Sequence, residues 1–279
     1  MLKVGSVIDE FELKELLGQG GMGAVFAAWD DNLKRPVAVK VIALPSDTAK
    51  QREFRQRFKR EAEALGAVSE HPHVVRVYKS GLDDEGNPYL VMERLRGETL
   101  QVRIERASGG RLSPEETVAL IVPILGALAH VHDRGVIHRD VKPSNILLAR
   151  DATGQEVPKL IDFGVAKDVT VSLPAHLATA TGQNPGTLLY MSPEQACGAR
   201  DLDARADLDA MGVVLYVALS GTFPYDLDAG GAWLTALKEA KGVRPLDELV
   251  AGLPPELVRV VQALRAPHVG RRAAGQRGR

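Results

Sequence analysis

The stretch His138-Arg139-Asp140-Val141-Lys142-Pro143-Ser144-Asn145 places an acid, two bases and an amide within eight residues. A single histidine beside an apolar run is ordinarily a core residue. This combination instead suits phosphoryl transfer, which uses a carboxylate to orient a hydroxyl, a cation for developing charge and an amide oxygen for Mg2+. Further on, Asp162-Phe163-Gly164 follows the strand-like Lys159-Leu160-Ile161. Alone, an aspartate at a strand end before a glycine is often only a turn. Paired with Asn145, Asp162 makes a hard-oxygen site of the kind Mg2+ takes together with phosphate oxygens.

Near the start stands Gly18-Gln19-Gly20-Gly21-Met22-Gly23-Ala24-Val25. Glycines at 18, 20 and 23 let a backbone approach phosphates without Cβ clashes. A plain glycine turn is a second reading. A dinucleotide-binding turn is a third, but it calls for a following helix and an acid ~20 residues later. Here a strand-like stretch follows, and at that distance stands a base, Lys40. Lys40 ends the run Val37-Ala38-Val39. On a buried strand it needs a charged partner; on an edge strand it would reach solvent. Glu61, three residues after Phe58 and four before Leu65, lies on or near the inward face of a helix. A Lys40–Glu61 pair across a cleft would hold the ammonium ready for ATP phosphates. Alone, Glu61 reads as a solvated helix charge.

These residues need elements to position them. Phe11–Leu17, Ala24–Trp29 and Pro36–Ile42 read as an antiparallel meander. Phe54, Phe58, Ala62, Leu65 and Val68 recur at helical spacing, and His71-Pro72 ends that helix. Val74–Tyr78 and Pro88–Met92 read as two more strands. After Gly97 the character turns helical. Ser113 is the N-cap of a helix with Pro114 at its first position and Glu116 closing a capping box. Pro123 falls inside this helix, where it kinks the axis or costs about 3 kcal/mol unless accommodated. Asp207–Ser220 and Pro255–Arg265 are later helices, and the Gly/Arg-rich Gly270–Arg279 reads as disordered. The division is a β-rich lobe over 1–95 and a helical lobe over 96–279, with ligands expected in the cleft between them.

Composition bounds the partners. The formal net charge over 279 residues is −1, so nothing marks the chain as a binder of nucleic acid or of membrane surfaces. One cysteine, Cys197, excludes an intrachain disulfide and makes a reducing, cytoplasmic setting the simplest reading. No run reaches the ~18 uncharged apolar residues of a membrane span, and Met1–Glu10 lacks the layout of a signal peptide.

In order along the chain come the glycine loop, Val-Ala-Val-Lys, the helix glutamate, His-Arg-Asp-x-Lys-x-x-Asn, Asp-Phe-Gly and Ser192-Pro193-Glu194. This set resembles the signature of protein kinases over about Phe11 to Arg265. The wording of Gly186-Thr187 through Gln195 and of Arg60-Glu61-Ala62 is most similar to bacterial eukaryotic-type serine/threonine kinases. The resemblance implies an α+β bilobal fold, with a small five-stranded antiparallel lobe carrying one helix above a mainly helical lobe. It implies transfer of the γ-phosphoryl group of ATP to Ser/Thr hydroxyls, with Mg2+ or Mn2+. Asp140 would orient the acceptor hydroxyl and Lys142 would steady the phosphoryl group. Asn145 and Asp162 would hold metal. Lys40 would hold phosphates and Glu61 would hold Lys40. Val25, Ala38 and Leu147 would sandwich adenine, Met92 would be the gatekeeper, and the Glu93–Leu95 backbone the hinge. Val165–Met191 would be the activation loop, with Thr179 and Thr181 as autophosphorylation sites whose phosphate meets Arg139. Thr187 would contact Asp140 and Lys142 and select Ser/Thr. Protein substrates, and a homodimer for phosphorylation in trans, follow from the same resemblance.

Three departures stand against the family pattern. Asp207 matches an aspartate that braces the catalytic loop, but Asp209-Ala210-Met211-Gly212 replaces the usual aromatic-Ser-Leu-Gly. Pro123 is the second. The third is the C-terminus, where Arg271 is the candidate partner of Glu194 and the family's last helix has no evident counterpart. A nucleotide-binding scaffold without turnover is the alternative function. Such relatives generally lack the lysine, the catalytic aspartate or the metal aspartate, and Lys40, Asp140 and Asp162 are all here.

Overall fold

The computed structural model describes residues 3–20, 23–164, 188–199, 201–225, 235, 237 and 243–265. The first part is a six-stranded antiparallel sheet ordered β1-β2-β3-β4-β6-β5. Its strands are β1 (Val7–Ile8), β2 (Phe11–Gly20), β3 (Gly23–Asp30), β4 (Arg35–Ile42), β5 (Val77–Leu82) and β6 (Pro88–Glu93). The expected sheet of five gains β1, a two-residue strand whose Ile8 pairs with Phe11 and is buried with it. One apolar cluster, with Phe11, Leu13, Phe26, Val37, Val39 and Val91, fills one side of this sheet.

Helix α1 (Thr48–Val68) packs on the other side. Its buried residues are Phe54, Phe58, Ala62, Leu65 and Val68, the face that the spacing predicts. Asp47 caps it by accepting from Ala49 N–H.

The strand expected at Val74–Tyr78 starts at Val77 instead. The preceding residues are used elsewhere. Leu160 N–H donates to His73 O and Val75 N–H donates to Leu160 O, at 2.8 and 2.9 Å, which ties this segment to the second sheet. That sheet is β7 (Gly97–Thr99), β8 (Ile146–Arg150) and β9 (Glu156–Leu160).

The helical part contains α2 (Leu100–Arg106), α3 (Pro114–His132), α4 (Pro193–Ala196), α5 (Ala204–Ser220), α6 (Leu246–Leu249) and α7 (Pro255–Leu264). Ser113 accepts from Glu116 N–H at 3.2 Å, as the N-cap reading requires. The Glu116 carboxylate goes to Arg103 rather than back to the cap, because a guanidinium 2.8 Å away is the stronger partner. Arg103 also meets Glu98 at 2.8 Å and Glu156 at 2.6 Å, so one cation ties α2 to β7, α3 and β9. Helix α3 runs on through Pro123 as one 19-residue helix. It is long and apolar enough to span a membrane by length and composition, which qualifies the expectation of no such segment. Its apolar side, Leu120, Ile121, Ile124, Leu128 and Val131, lies in the core, which accounts for its composition. The central helix is α5, buried at nearly every position from Ala206 to Leu219.

Candidate active site

The site is built around a loop hung from α5. Asp207 is 1% exposed. Its Oδ1 accepts from Arg139 N–H, and its Oδ2 from His138 N–H and from the His132 ring, each at 2.8 Å. Arg139 has φ 64° and Asp162 has φ 57°. Left-handed backbone at non-glycine residues costs on the order of 1–3 kcal/mol and persists where surroundings over-determine it. His138 is fully buried, and that burial holds its pKa below the usual histidine value. Its Nδ1 accepts from Asp140 N–H at 3.2 Å, so its Nε2–H is the donor to Ile161 O at 3.0 Å. A neutral histidine thus links the Asp140 loop to the strand that leads to Asp162. Gly164 N–H donates to His138 O at 2.9 Å, and the Phe163 ring stands 4.4 Å from the histidine ring.

Lys142 and Asn145 both lie against Asp140. Lys142 Nζ lies 3.1 Å from Asp140 Oδ2. Asn145 Nδ2 donates to Asp140 O at 2.8 Å and to Asp140 Oδ2 at 2.9 Å. With its nitrogen so engaged, the amide oxygen of Asn145 is the end that remains for a hard cation.

The predicted Lys40–Glu61 pair is corrected. Lys40 Nζ sits 2.9 Å from Asp162 Oδ1, and Glu61 Oε1 sits 3.2 Å from Arg139 Nη1. Each cation reaches a carboxylate across the interlobe gap, so the four groups are paired differently from the sequence reading. A cavity of about 100 Å3 lies here, lined by Glu61, Leu65, Ile137, Arg139, Phe163 and Gly164.

The glycine hairpin pairs Gly18 with Val25 and Gly20 with Gly23. Gly23 has φ 129°, and a Cβ there would stand 1.9 Å from Val41 O, so only glycine fits. At Gly18 and Gly20 a Cβ would meet nothing within 4 Å among the described residues, open space of the kind a phosphate needs. Val25 lies opposite Lys40, and Ala38 opposite both Ala27 and Met92. Ala38 and Met92 are buried, while Val25 and Leu147 remain partly open. Leu147 is on β8, opposite Thr99 and Lys159.

Residues that sequence reading missed steady this frame. Lys159 Nζ meets Glu93 Oε1 at 2.6 Å, and Arg76 N–H donates to the same oxygen at 2.9 Å. Arg94 reaches Glu15 on β2 at 3.1 Å, and Leu95 packs on the core. Gln195 Nε2 donates to Arg139 O at 3.0 Å from a capping box with Ser192. The Gln three residues after Ser192, the spacing of a capping box, was the available signal. Thr179, Thr181, Thr187 and Arg271 lie outside the described residues.

A family model described as a protein kinase domain matches residues 11–244. The probable serine/threonine-protein kinase PknB of Corynebacterium glutamicum is 41% identical over 223 residues, 79% of this chain and 33% of that protein. The serine/threonine-protein kinase PknB of Mycobacterium tuberculosis is 39% identical over 224 residues, 79% of this chain and 34% of that protein. A crystal structure of a cysteine-to-alanine mutant of the Mycobacterium tuberculosis PknI kinase domain superposes with a TM-score of 0.68 at 26% identity, covering 95% of this chain and 89% of that one. With its two sheets and central helix, this is the α+β bilobal kinase fold. The chain belongs to the protein kinase family and spans about a third of the length of the curated relatives it matches.

Proposed function

We propose that this chain is a serine/threonine protein kinase that transfers the γ-phosphoryl group of ATP to protein hydroxyls. The observation that carries the reading is one connected set of groups. Lys142 and Asn145 converge on Asp140, Lys40 reaches Asp162, and Asp207 fixes the backbone beneath them. Residues 1–95 form the nucleotide-binding part in this reading, and residues 96–279 the catalytic part.

ATP would lie under the glycine hairpin, with adenine between Val25, Ala38 and Leu147, beside Met92 and along Glu93–Leu95. Open space at Gly18 and Gly20 and apolar side chains on both faces fit such a ligand. Asp162 and the amide oxygen of Asn145 fit Mg2+, which when bound neutralises phosphate charge. Asp140 accepts the proton of the acceptor hydroxyl as its oxygen bonds to the γ-phosphorus and the bond to ADP breaks. Lys142 balances charge on the transferring oxygens. Lys40 leaves Asp162 for the phosphates and Glu61 leaves Arg139 for Lys40. Phosphates on Thr179 or Thr181 compete with Glu61 for the Arg139 guanidinium and favour that exchange.

Calorimetric titration with ATP, with and without Mg2+, run beside transfer onto a basic protein substrate, tests this reading. Mg2+-dependent binding with transfer supports it. Binding without transfer by the folded chain would replace it with the scaffold reading.

A further inference from the structure

Asp209 is a carboxyl that the chemistry above does not use. It is 7% exposed on the central helix α5, and its Oδ2 is enclosed without a hydrogen-bond partner among the described residues. Three residues on, Gly212 lies on the same face of the helix. A Cβ at Gly212 would stand 2.5 Å from Arg265 Cγ, so the Arg265 stem runs across the helix over this glycine. The Arg265 guanidinium donates from Nη2 to Tyr225 OH at 2.7 Å and lies 5.1 Å from that ring. Its Nε and Nη1 are enclosed and have no partner among the described residues. Two unpaired donors and one unpaired acceptor therefore sit in one buried region, which is costly.

We propose that Asp209 and Arg265 form a proton-controlled latch: with Asp209 protonated, Arg265 rests on Tyr225, and when the proton leaves, Arg265 closes on the carboxylate and ties α7 to α5. Among the described residues, the groups that face Asp209 are Arg265 at the C-terminal cap of α7, Glu194 from α4 and Tyr225 from the segment after α5. Burial raises the Asp209 carboxyl to about 7, Arg265 opposes that rise and Glu194 adds to it. The Arg265 charge acts on Asp209, and in the proposed closure a turn of the Arg265 side chain brings an open donor to the open carboxyl oxygen. The step moves one proton to solvent and breaks no covalent bond. Glu194 precedes Gln195, which holds Arg139 O beside Asp140, so the latch reaches the catalytic loop.

The latch itself does not depend on catalysis; its effect on rate rests on the kinase reading. Carboxyl 13C NMR of the whole chain between pH 5 and 9 tests the first. Asp209 should titrate near neutrality, and Arg265→Met should move that midpoint up by about one unit or more. Titration of Asp209 in the ordinary carboxylate range, or a midpoint indifferent to Arg265→Met, overturns the latch. For the rate, the pH profile of phosphate transfer is compared with that of Asp209→Asn. A neutral-range step present in the wild type and lost in the variant supports coupling. Identical profiles overturn the coupling, whereas absence of transfer in both overturns the kinase reading and leaves the NMR result to judge the latch.

Discussion

At the scale of single residues, two buried aspartates one helical half-turn apart have opposite fates. Asp207 is fully spent on His132 and two backbone N–H groups. Asp207→Ala leaves those buried donors unsatisfied, and each costs roughly 1–3 kcal/mol. Urea denaturation should show a loss of about 3 kcal/mol or more, with phosphate transfer falling at least ~100-fold, because the Asp140 backbone is no longer held. Asp209 has the reverse sign. Its folded-state pKa, raised chiefly by burial to about 7, lies above that of the unfolded chain. The folded state therefore holds the extra proton between about pH 4 and 7, and stability falls as pH rises through that window. Asp209→Asn should remove this slope and leave the variant more stable than the wild type above pH 7 by roughly 2–4 kcal/mol at most. Thermal melts of both proteins at pH 5 and 8 check it; a constant difference between them contradicts the assignment.

At the scale of elements, one guanidinium and one glycine carry much of the frame. Arg103 joins α2 to β7, α3 and β9 through three carboxylates. The group is partly exposed, so Arg103→Ala should cost only about 1–3 kcal/mol. The loss should shrink on acidification as the three carboxylates, left facing one another, take up protons; a pH series of urea midpoints reads this. Gly23→Ala combines positive φ with contact against the Val41 carbonyl and should loosen the β2–β3 hairpin, costing about 2 kcal/mol or more. Gly18→Ala meets open space, so it should leave stability within ~0.5 kcal/mol and act on ATP binding. What the sequence made legible follows the same division. Local periodicity gave the α1 face from Phe54 to Val68 and the β2–β3–β4 meander, because those patterns are set within one element. The Val74–Val75 segment looked like strand because it is apolar, yet its burial comes from β9, some 85 residues away. Arg103 and Lys159 carried no motif, since their partners are scattered along the chain.

At the scale of the whole molecule, the candidate site is where two parts of the chain meet, and this is where sequence reading fell short. Motifs placed Lys40, Glu61, Asp140, Asn145 and Asp162 in one region. They did not decide how four charges pair, because Lys40–Asp162 with Glu61–Arg139 and the alternative Lys40–Glu61 exchange similar ion pairs. Such near-equal pairings let ligands or a loop phosphate shift the balance, and a preference of a few kcal/mol suffices. In the proposed function, Asp140 carries the transfer. The most direct measurement incubates the chain and its Asp140→Asn variant with radiolabelled ATP and Mg2+, then maps label over residues 165–191 by mass spectrometry. Label on Thr179 or Thr181 in the wild type, reduced at least ~100-fold in the variant, is the predicted result. Equal labelling of both proteins, or none on the folded wild type or on a basic substrate while ATP still binds, would contradict it.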